Sequence, residues 1–493
     1  MVVPEENTST RTRQPLQAPP SPVLGQQPGL GAPQPHGYVP GQQIEASPIP
    51  PHSDSDDSHS IGTLIMVGGG LLVALIIAVF LIWFIFSRFV GKGNQPVTLE
   101  YWGLWEDSNV MQTVISDFER ENPSIKVKYV KQDPKEYADR LLAHIQQGDG
   151  PDIFRFHNSW VPMFVSMLSP LTQDVMSSKD FAKAYYPVAQ QDLVKNGAIY
   201  GIPLEIDTLV LFTNNQILQK ENVKVPTNWP DFITAARAMT VKDAAGKIKI
   251  AGAAMGTYDN ITHAPDILSL LFVQNGADTK NLASTAKNAS DAISFYTSFV
   301  NADGNVWDDT LDPSFVAFAK GNLAMYFGYS WDIFSLKAYN PSLEFSASPV
   351  PHLPGRDMTI SSYWAEGVSA KSKNQKQAML FMKFLSQKDT QQKIFTEEAK
   401  VRQFGEPYSR TDLADLAKDT VMAPFIGQAP HAVSSVFAGD TQNTKYSERL
   451  NQYLQRAVGD ILRDTSSDTA ITNLSQGVSQ VLSQYATNQT GSN

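Results

Sequence analysis

From Ile61 to Phe86 the chain runs without a single charge, as IGTLIMVGGGLLVALIIAVFLIWFIF. A helix crosses the hydrocarbon core of a bilayer in about 20 residues, and only a helix or a closed barrel satisfies its own backbone there. The stretch is therefore predicted to be one transmembrane helix, with Trp83 as an interfacial anchor near its end. A cleaved signal peptide has a shorter apolar region close to the N-terminus, whereas this run begins only at residue 61. The segments on either side of it must be built separately. Arg88 and Lys92 lie after the helix, while Asp54, Asp56 and Asp57 precede it. By the positive-inside rule these charges place the C-terminal part in the cytoplasm, but two positives are a weak bias and acidic residues count little. Arg11 and Arg13 lie too far upstream to compete strongly.

Residues 1–60 hold a large share of the chain's 31 prolines, with abundant Gln, Gly and Ser and almost no periodic apolar positions. Such a segment cannot bury enough surface to offset its ordering entropy, so a disordered tail is expected. The stretch from Pro15 to Pro51 could alternatively dock as polyproline II. A net charge of -10 and a pI near 5.3 argue against nucleic acid as a partner, which calls for clustered Lys and Arg. The chain has no cysteine, which removes disulfides, thiolate chemistry and a lipidated N-terminal Cys as a membrane tether.

After a linker at 87–96, residues 97–490 alternate between strand and helix patterns, as α/β architecture requires. Val97 to Tyr101 reads as a strand, and Met111, Val114, Ile115 and Phe118 recur at helical spacing until Asn122-Pro123 ends the run. Ile125, Val127 and Tyr129 alternate with lysines, the period of a half-buried strand. Tyr137, Leu141 and Ile145 form another helical face, and Ile153 to Phe156 completes a βαβαβ unit. Helical faces recur at Phe232, Ala236 and Met239, at Ala378, Phe381, Met382 and Leu385, and from Tyr446 through Leu450, Tyr453 and Ala457 to Ile461.

Four segments, in this order, carry a resemblance: VTLEYWGLWEDSNVMQTVISDFERENPSIKV; HIQQGDGPDIF; YGIPLEIDTLVLFTNNQIL with PTNWPDFITAARAMT; and FAKGNLAMYFGYSWDIF with VPHLP downstream. Residues 97 to about 485 resemble the family 1 extracellular solute-binding proteins, the group that includes bacterial maltose-binding receptors. The resemblance implies a type II periplasmic-binding-protein-like fold: two α/β lobes joined by crossing segments, a solute in the cleft, and closure that presents the liganded form to an ATP-binding-cassette permease. Lobe 1 is expected at about 97–206 and 360–405, and lobe 2 at about 207–359 and 406–490. It also implies that the C-terminal domain lies outside the cell, against the flanking charges, with residues 61–86 tethering it to the bilayer. The uncleaved helix and the Pro-rich tail depart from the family pattern.

Ligands of open α/β sheets sit beyond the carboxyl ends of strands. Trp102, Trp105 and Glu106 come after the first strand; an indole face suits the C–H face of a sugar, and a carboxylate accepts hydroxyl protons. The alternative is that both tryptophans are core. Asp152 and the loop from Asn158 to Trp160 come after later strands, although Asp152 could simply cap a turn. Glu205 and Asp207, two apart in the expected hinge, invite comparison with a glycosidase pair. Neighbours on one strand point in parallel instead of flanking a bond, so catalysis is not expected. On the other lobe Tyr258 and Asp259 come after AGAAMG, and Tyr329, Trp331 and Asp332 after LAMYFG; in the resembling family Trp331's position supplies an aromatic platform. Tyr363, Trp364 and Glu366 lie where the chain returns to the first lobe, with Gly367 alone remaining of a usual Gly-rich turn.

The eight histidines, including His36, His52, His59 and His431, show no metal-ligand spacing, and no phosphate-cradling G-x-x-x-x-G-K-[ST] loop is present. No metal or cofactor is expected, and the ATP-hydrolysing subunit must be another chain. Aromatic walls with carboxylates point to a neutral polyol such as an oligosaccharide. A carbohydrate-active enzyme and a solute sensor without a permease are the alternatives.

Overall fold

The computed structural model describes residues 79–80, 96–301, 304–439 and 444–490, with side chains as far as 485. The expected tail, and the expected membrane helix apart from Val79 and Phe80, lie outside the described residues. Of the linker, Pro96 alone falls within them. Val79 and Phe80 are helical and exposed. Among the described residues no helix is long and apolar enough to cross a membrane. The chain divides into two compact units, Met1–Ile85 and Phe86–Asn493, and the second of them carries both lobes.

The first lobe is organised by the opening βαβαβ unit. Helix Ser108–Glu121 buries Val110, Met111, Val114, Ile115 and Phe118 on one face, the face its apolar spacing defines. It returns the chain to strand Ile125–Lys131, which pairs in parallel with Val97–Gly103 from Val97↔Ile125 to Gly103↔Lys131. Strand Ile153–His157 pairs on the other side of the first strand and is buried throughout, as a central strand must be. Trp364–Ser369, far along the chain, inserts antiparallel to it. Leu168–Ser169 and Ile202–Pro203 pair with that strand and complete a six-stranded sheet.

The second lobe holds a five-stranded sheet in the order Val241–Lys242, Ile248–Ala253, Leu323–Gly328, Val210–Asn214, Phe345–Ser348. Helix Trp229–Met239 lies so close to Ile248–Ala253 that a Cβ added at Gly252 would stand 1.8 Å from the Ala236 carbonyl oxygen. Only glycine fits that crossing.

A third, small sheet joins the lobes. Its strands Ala432–Val433, Thr359–Ser362 and Asp207–Thr208 come from three separate passages of the chain between the two large sheets. The last passage lies later than expected. Residues 406–416, expected in lobe 2, pair with the first lobe through the bridges Glu205↔Tyr408 and Tyr185↔Arg410. Ser409 Oγ also donates to the Pro203 carbonyl, and Thr411 Oγ1 to the Lys183 carbonyl. Short irregular pairings of this kind have no periodicity to read.

Candidate functional site

Where the lobes meet over the small sheet, a cavity of about 470 Å³ opens. The first lobe contributes Trp105, from the loop after its first strand, and Trp364, from the strand that returns to it. The two rings meet edge to face with centroids 5.6 Å apart. The second lobe contributes Tyr329 and Trp331 at the start of helix Ser330–Tyr339, stacked at 4.4 Å and 15°. It also contributes Thr262, His263 and Asp266 at the start of helix Ala264–Gln274. The floor is Glu205, Asp207 and Ser362, and the loop after helix Lys388–Glu398 adds Arg402 and Glu406. Gly439 closes one side; its φ of +76° and a would-be Cβ contact of 2.2 Å with the His157 ring both demand glycine.

Of the sequence-predicted site residues, Trp105, Glu205, Asp207, Tyr329, Trp331 and Trp364 line this cavity. Glu106 and Glu366 lie behind the wall and grip Arg155. Its Nη1 donates to Glu106 Oε1 at 2.6 Å and Oε2 at 2.7 Å, and its Nε donates to Glu366 Oε1 at 2.6 Å. All three side chains are at most 2% exposed. Burial works against ionisation of both carboxyls; the bidentate Arg155 contact outweighs it at Glu106, which is lowered, while burial prevails at Glu366, which is raised. Asp332 stands behind the aromatic pair, accepting from the Tyr329 backbone N–H and holding His263 Nε2 at 2.8 Å.

The remaining candidates serve the framework. Trp102 donates Nε1–H to Glu100 and packs edge-on against His144. The Asp152 carboxylate accepts from the Glu100 N–H, Ser372 and Asn374. Asn158 bonds Ser434 and Tyr363, whose hydroxyl donates to Asp192. Trp160 is 1% exposed among Tyr137, Phe164 and Trp364. Tyr258 reaches the Asn451 carbonyl and Asp259 holds Gln455, so both face the last helices instead of the cavity.

Thr262, His263, Asp266, Ser362, Arg402, Glu406 and Gly439 were not among the sequence candidates. For three of them a signal existed. Thr262-His263-Ala264-Pro265-Asp266 has Pro inside a helix start and Asp in its first turn, so the loop after the AGAAMG strand runs past Tyr258 to that N-terminus. Arg402 and Glu406 sit in an irregular loop that carries no such mark.

The carboxylates of the cavity differ in what answers them. Asp207 Oδ1 accepts from the Thr208 N–H, and Oδ2 from the N–H and hydroxyl of Ser330, at 2.8 and 2.6 Å. Asp207 therefore ties the joining sheet to the second lobe. Asp266 Oδ1 accepts from the Tyr329 hydroxyl and the Gly439 N–H. Glu406 Oε1 is 2.7 Å from Arg402 Nη1, and Arg402 Nη2 is 2.8 Å from Glu398 Oε2. Glu205, 5% exposed, accepts a side-chain hydrogen bond from no described residue. Burial first, then the nearby Glu406 charge, raises it well above the usual carboxylate range.

Burial disfavours a charged His263, but the Asp332 and Asp266 carboxylates outweigh it and raise its pKa to about 10. A histidine that holds its proton more tightly when folded contributes stability that is complete below its unfolded pKa of about 6.5. That contribution is lost as pH climbs toward about 10. Glu398, raised by burial to about 8, adds a loss of its own above its unfolded value of about 4.3. Melting curves across the alkaline range are therefore expected to fall with pH, and His263→Gln to fall less steeply. Equal slopes would contradict the charged His263.

Two α/β lobes, three crossing passages and one aromatic-walled cavity at their junction define a solute-binding protein of the two-lobed receptor class. The chain belongs to the bacterial extracellular solute-binding protein family, which matches residues 113–417. It is 24% identical over 325 residues to the multiple sugar-binding protein of Streptococcus mutans, covering 63% of this chain and 76% of that one. It is 23% identical over 331 residues to the galactooligosaccharide-binding protein of Bacillus subtilis, covering 63% and 73%. Both relatives are binding proteins. The fold matches the sugar-binding protein MalE of Xanthomonas citri with a TM-score of 0.65 at 18% identity, over 80% of this chain and all of that one. A cyclo/maltodextrin-binding protein complexed with maltotetraose matches with a TM-score of 0.64 at 18% identity, over 79% and 98%.

Proposed function

We propose that this chain is the carbohydrate receptor of an ATP-binding-cassette importer, held at the outer face of the cell membrane by residues 61–86. The observation that carries the reading is the cavity, in which Trp105, Trp364 and the stacked Tyr329–Trp331 pair share the lining with the Glu205 and Asp207 carboxylates. Indole and phenol faces suit the C–H faces of sugar rings, and carboxylates suit their hydroxyls. Relatives named for sugars and oligosaccharides support the same choice.

Solute contacts on both lobes favour a shut state, and binding shifts the equilibrium only by its preference for shut over open. The shut, liganded receptor then engages the permease. Titration calorimetry of the full-length chain against a panel of mono- and oligosaccharides, peptides and phosphate esters tests the proposal. Saturable binding confined to carbohydrates is expected; tight binding confined to peptides or phosphate esters would overturn it. In intact cells, protease should remove the domain beyond Pro96, and its protection until lysis would overturn the outward orientation.

A further inference from the structure

The charges around the cavity do not balance. Arg155 answers Glu106 and Glu366 behind the first-lobe wall, and Arg402 answers Glu398 and Glu406 beside it. Each guanidinium is already shared by two carboxylates. Asp266 and Asp332 share His263, and Asp207 has three protein hydrogen bonds. Among the described carboxylates that line the cavity, Glu205 is the one with no protein partner. It lies between the two clusters, within range of the Glu406, Arg155, Glu106 and Glu398 charges. It lines the cavity, is only 5% exposed, and its carboxyl receives a hydrogen bond from no described side chain or backbone group.

A largely buried carboxyl that faces the cavity loses much of its hydration and gains from a donor brought by the solute. Burial and the nearby Glu406 carboxylate disfavour the negative charge of ionised Glu205, and a neutral hydroxyl does little to offset that. A protonated amine donates to the carboxylate and cancels that charge, forming the stronger, charge-assisted bond. In a cleft shielded from water the difference grows, because charge interactions there are less screened. The indole faces of Trp105, Trp331 and Trp364 favour the same sign of charge, as their π clouds attract cations. Among the described residues, the two cationic ones that line the cavity, Arg402 and His263, are both held by carboxylates and so offer little to an anion.

We infer that the solute of this cleft carries a basic nitrogen, as an amine-bearing sugar, seated against the Glu205 carboxylate. The inference rests on the proposed carbohydrate reading of the cavity and narrows it.

Titration calorimetry on the full-length chain decides it, using maltotriose, cellotriose and mannotriose, each beside a counterpart in which one hydroxyl is replaced by an amine. At least one amine-bearing trisaccharide is expected to bind about tenfold more tightly than its neutral counterpart. Glu205→Gln, which keeps shape and removes the charge, is expected to abolish that preference, bringing the ratio of amine to neutral affinity to about one. The wild-type comparison stands even if the variant folds poorly. Neutral trisaccharides binding as tightly as their amine counterparts would overturn the inference and leave the carbohydrate reading in place. Binding of neither set would overturn both, and a preference retained in Glu205→Gln would remove Glu205 from the amine's seat.

Discussion

Arg155→Met is expected to lower the free energy of unfolding by about 3–5 kcal/mol, the usual penalty for stranding buried charges by removing their partner. Arg155 is 1% exposed and is the guanidinium shared by Glu106, in the loop after the first strand, and Glu366, inside strand Trp364–Ser369 and more than two hundred residues away in sequence. The cluster fixes the loop that carries Trp105 against the strand that carries Trp364. Denaturant unfolding of Arg155→Met measures the effect. Adding Glu106→Gln and Glu366→Gln should recover most of it, because the penalty comes from unanswered charge and not from lost volume. An Arg155→Met chain as stable as the parent would show the cluster to be solvated in solution.

Trp331→Ala is expected to weaken solute binding by about 10- to 100-fold, a loss of about 1.4 to 3 kcal/mol for an aromatic anchor. Trp331 is only partly buried and lies on the face of Tyr329 at the cavity wall, so its removal takes away contact surface without opening the core. The melting temperature should move little. Trp160→Ala provides the contrast: that ring is buried in the first lobe against Trp364, and its loss should show first in unfolding. Unchanged affinity in Trp331→Ala, measured with the best sugar from the calorimetric panel, would remove Trp331 from the solute contact.

Helix Ser108–Glu121 and strand Ile125–Lys131 bury the residues their spacing picked out, because local periodicity and the core face coincide in regular elements. Position at or just after a strand end picked out Trp105, Trp331 and Trp364. It could not separate them from Trp102 and Trp160, which occupy comparable positions but turn to Glu100 and into the core. Nor could it find Arg402 and Glu406, brought to the cavity by an irregular loop. Position after a strand says that a residue is near the cleft end of a sheet. Which way its side chain turns depends on partners distant in the chain.

Residue spacing and short ordered motifs were enough to set the succession of strands and helices, the βαβαβ opening and the family, because each of these is encoded locally. Folding in three dimensions was needed to settle which carboxylates are answered and which is not. Arg155 meets Glu366 across 211 positions, and Asp207 meets Ser330 across 123. Such pairings depend on where the passages between lobes cross, and crossing points carry no periodic pattern. The state of Glu205 is set there, by the groups that surround it after folding.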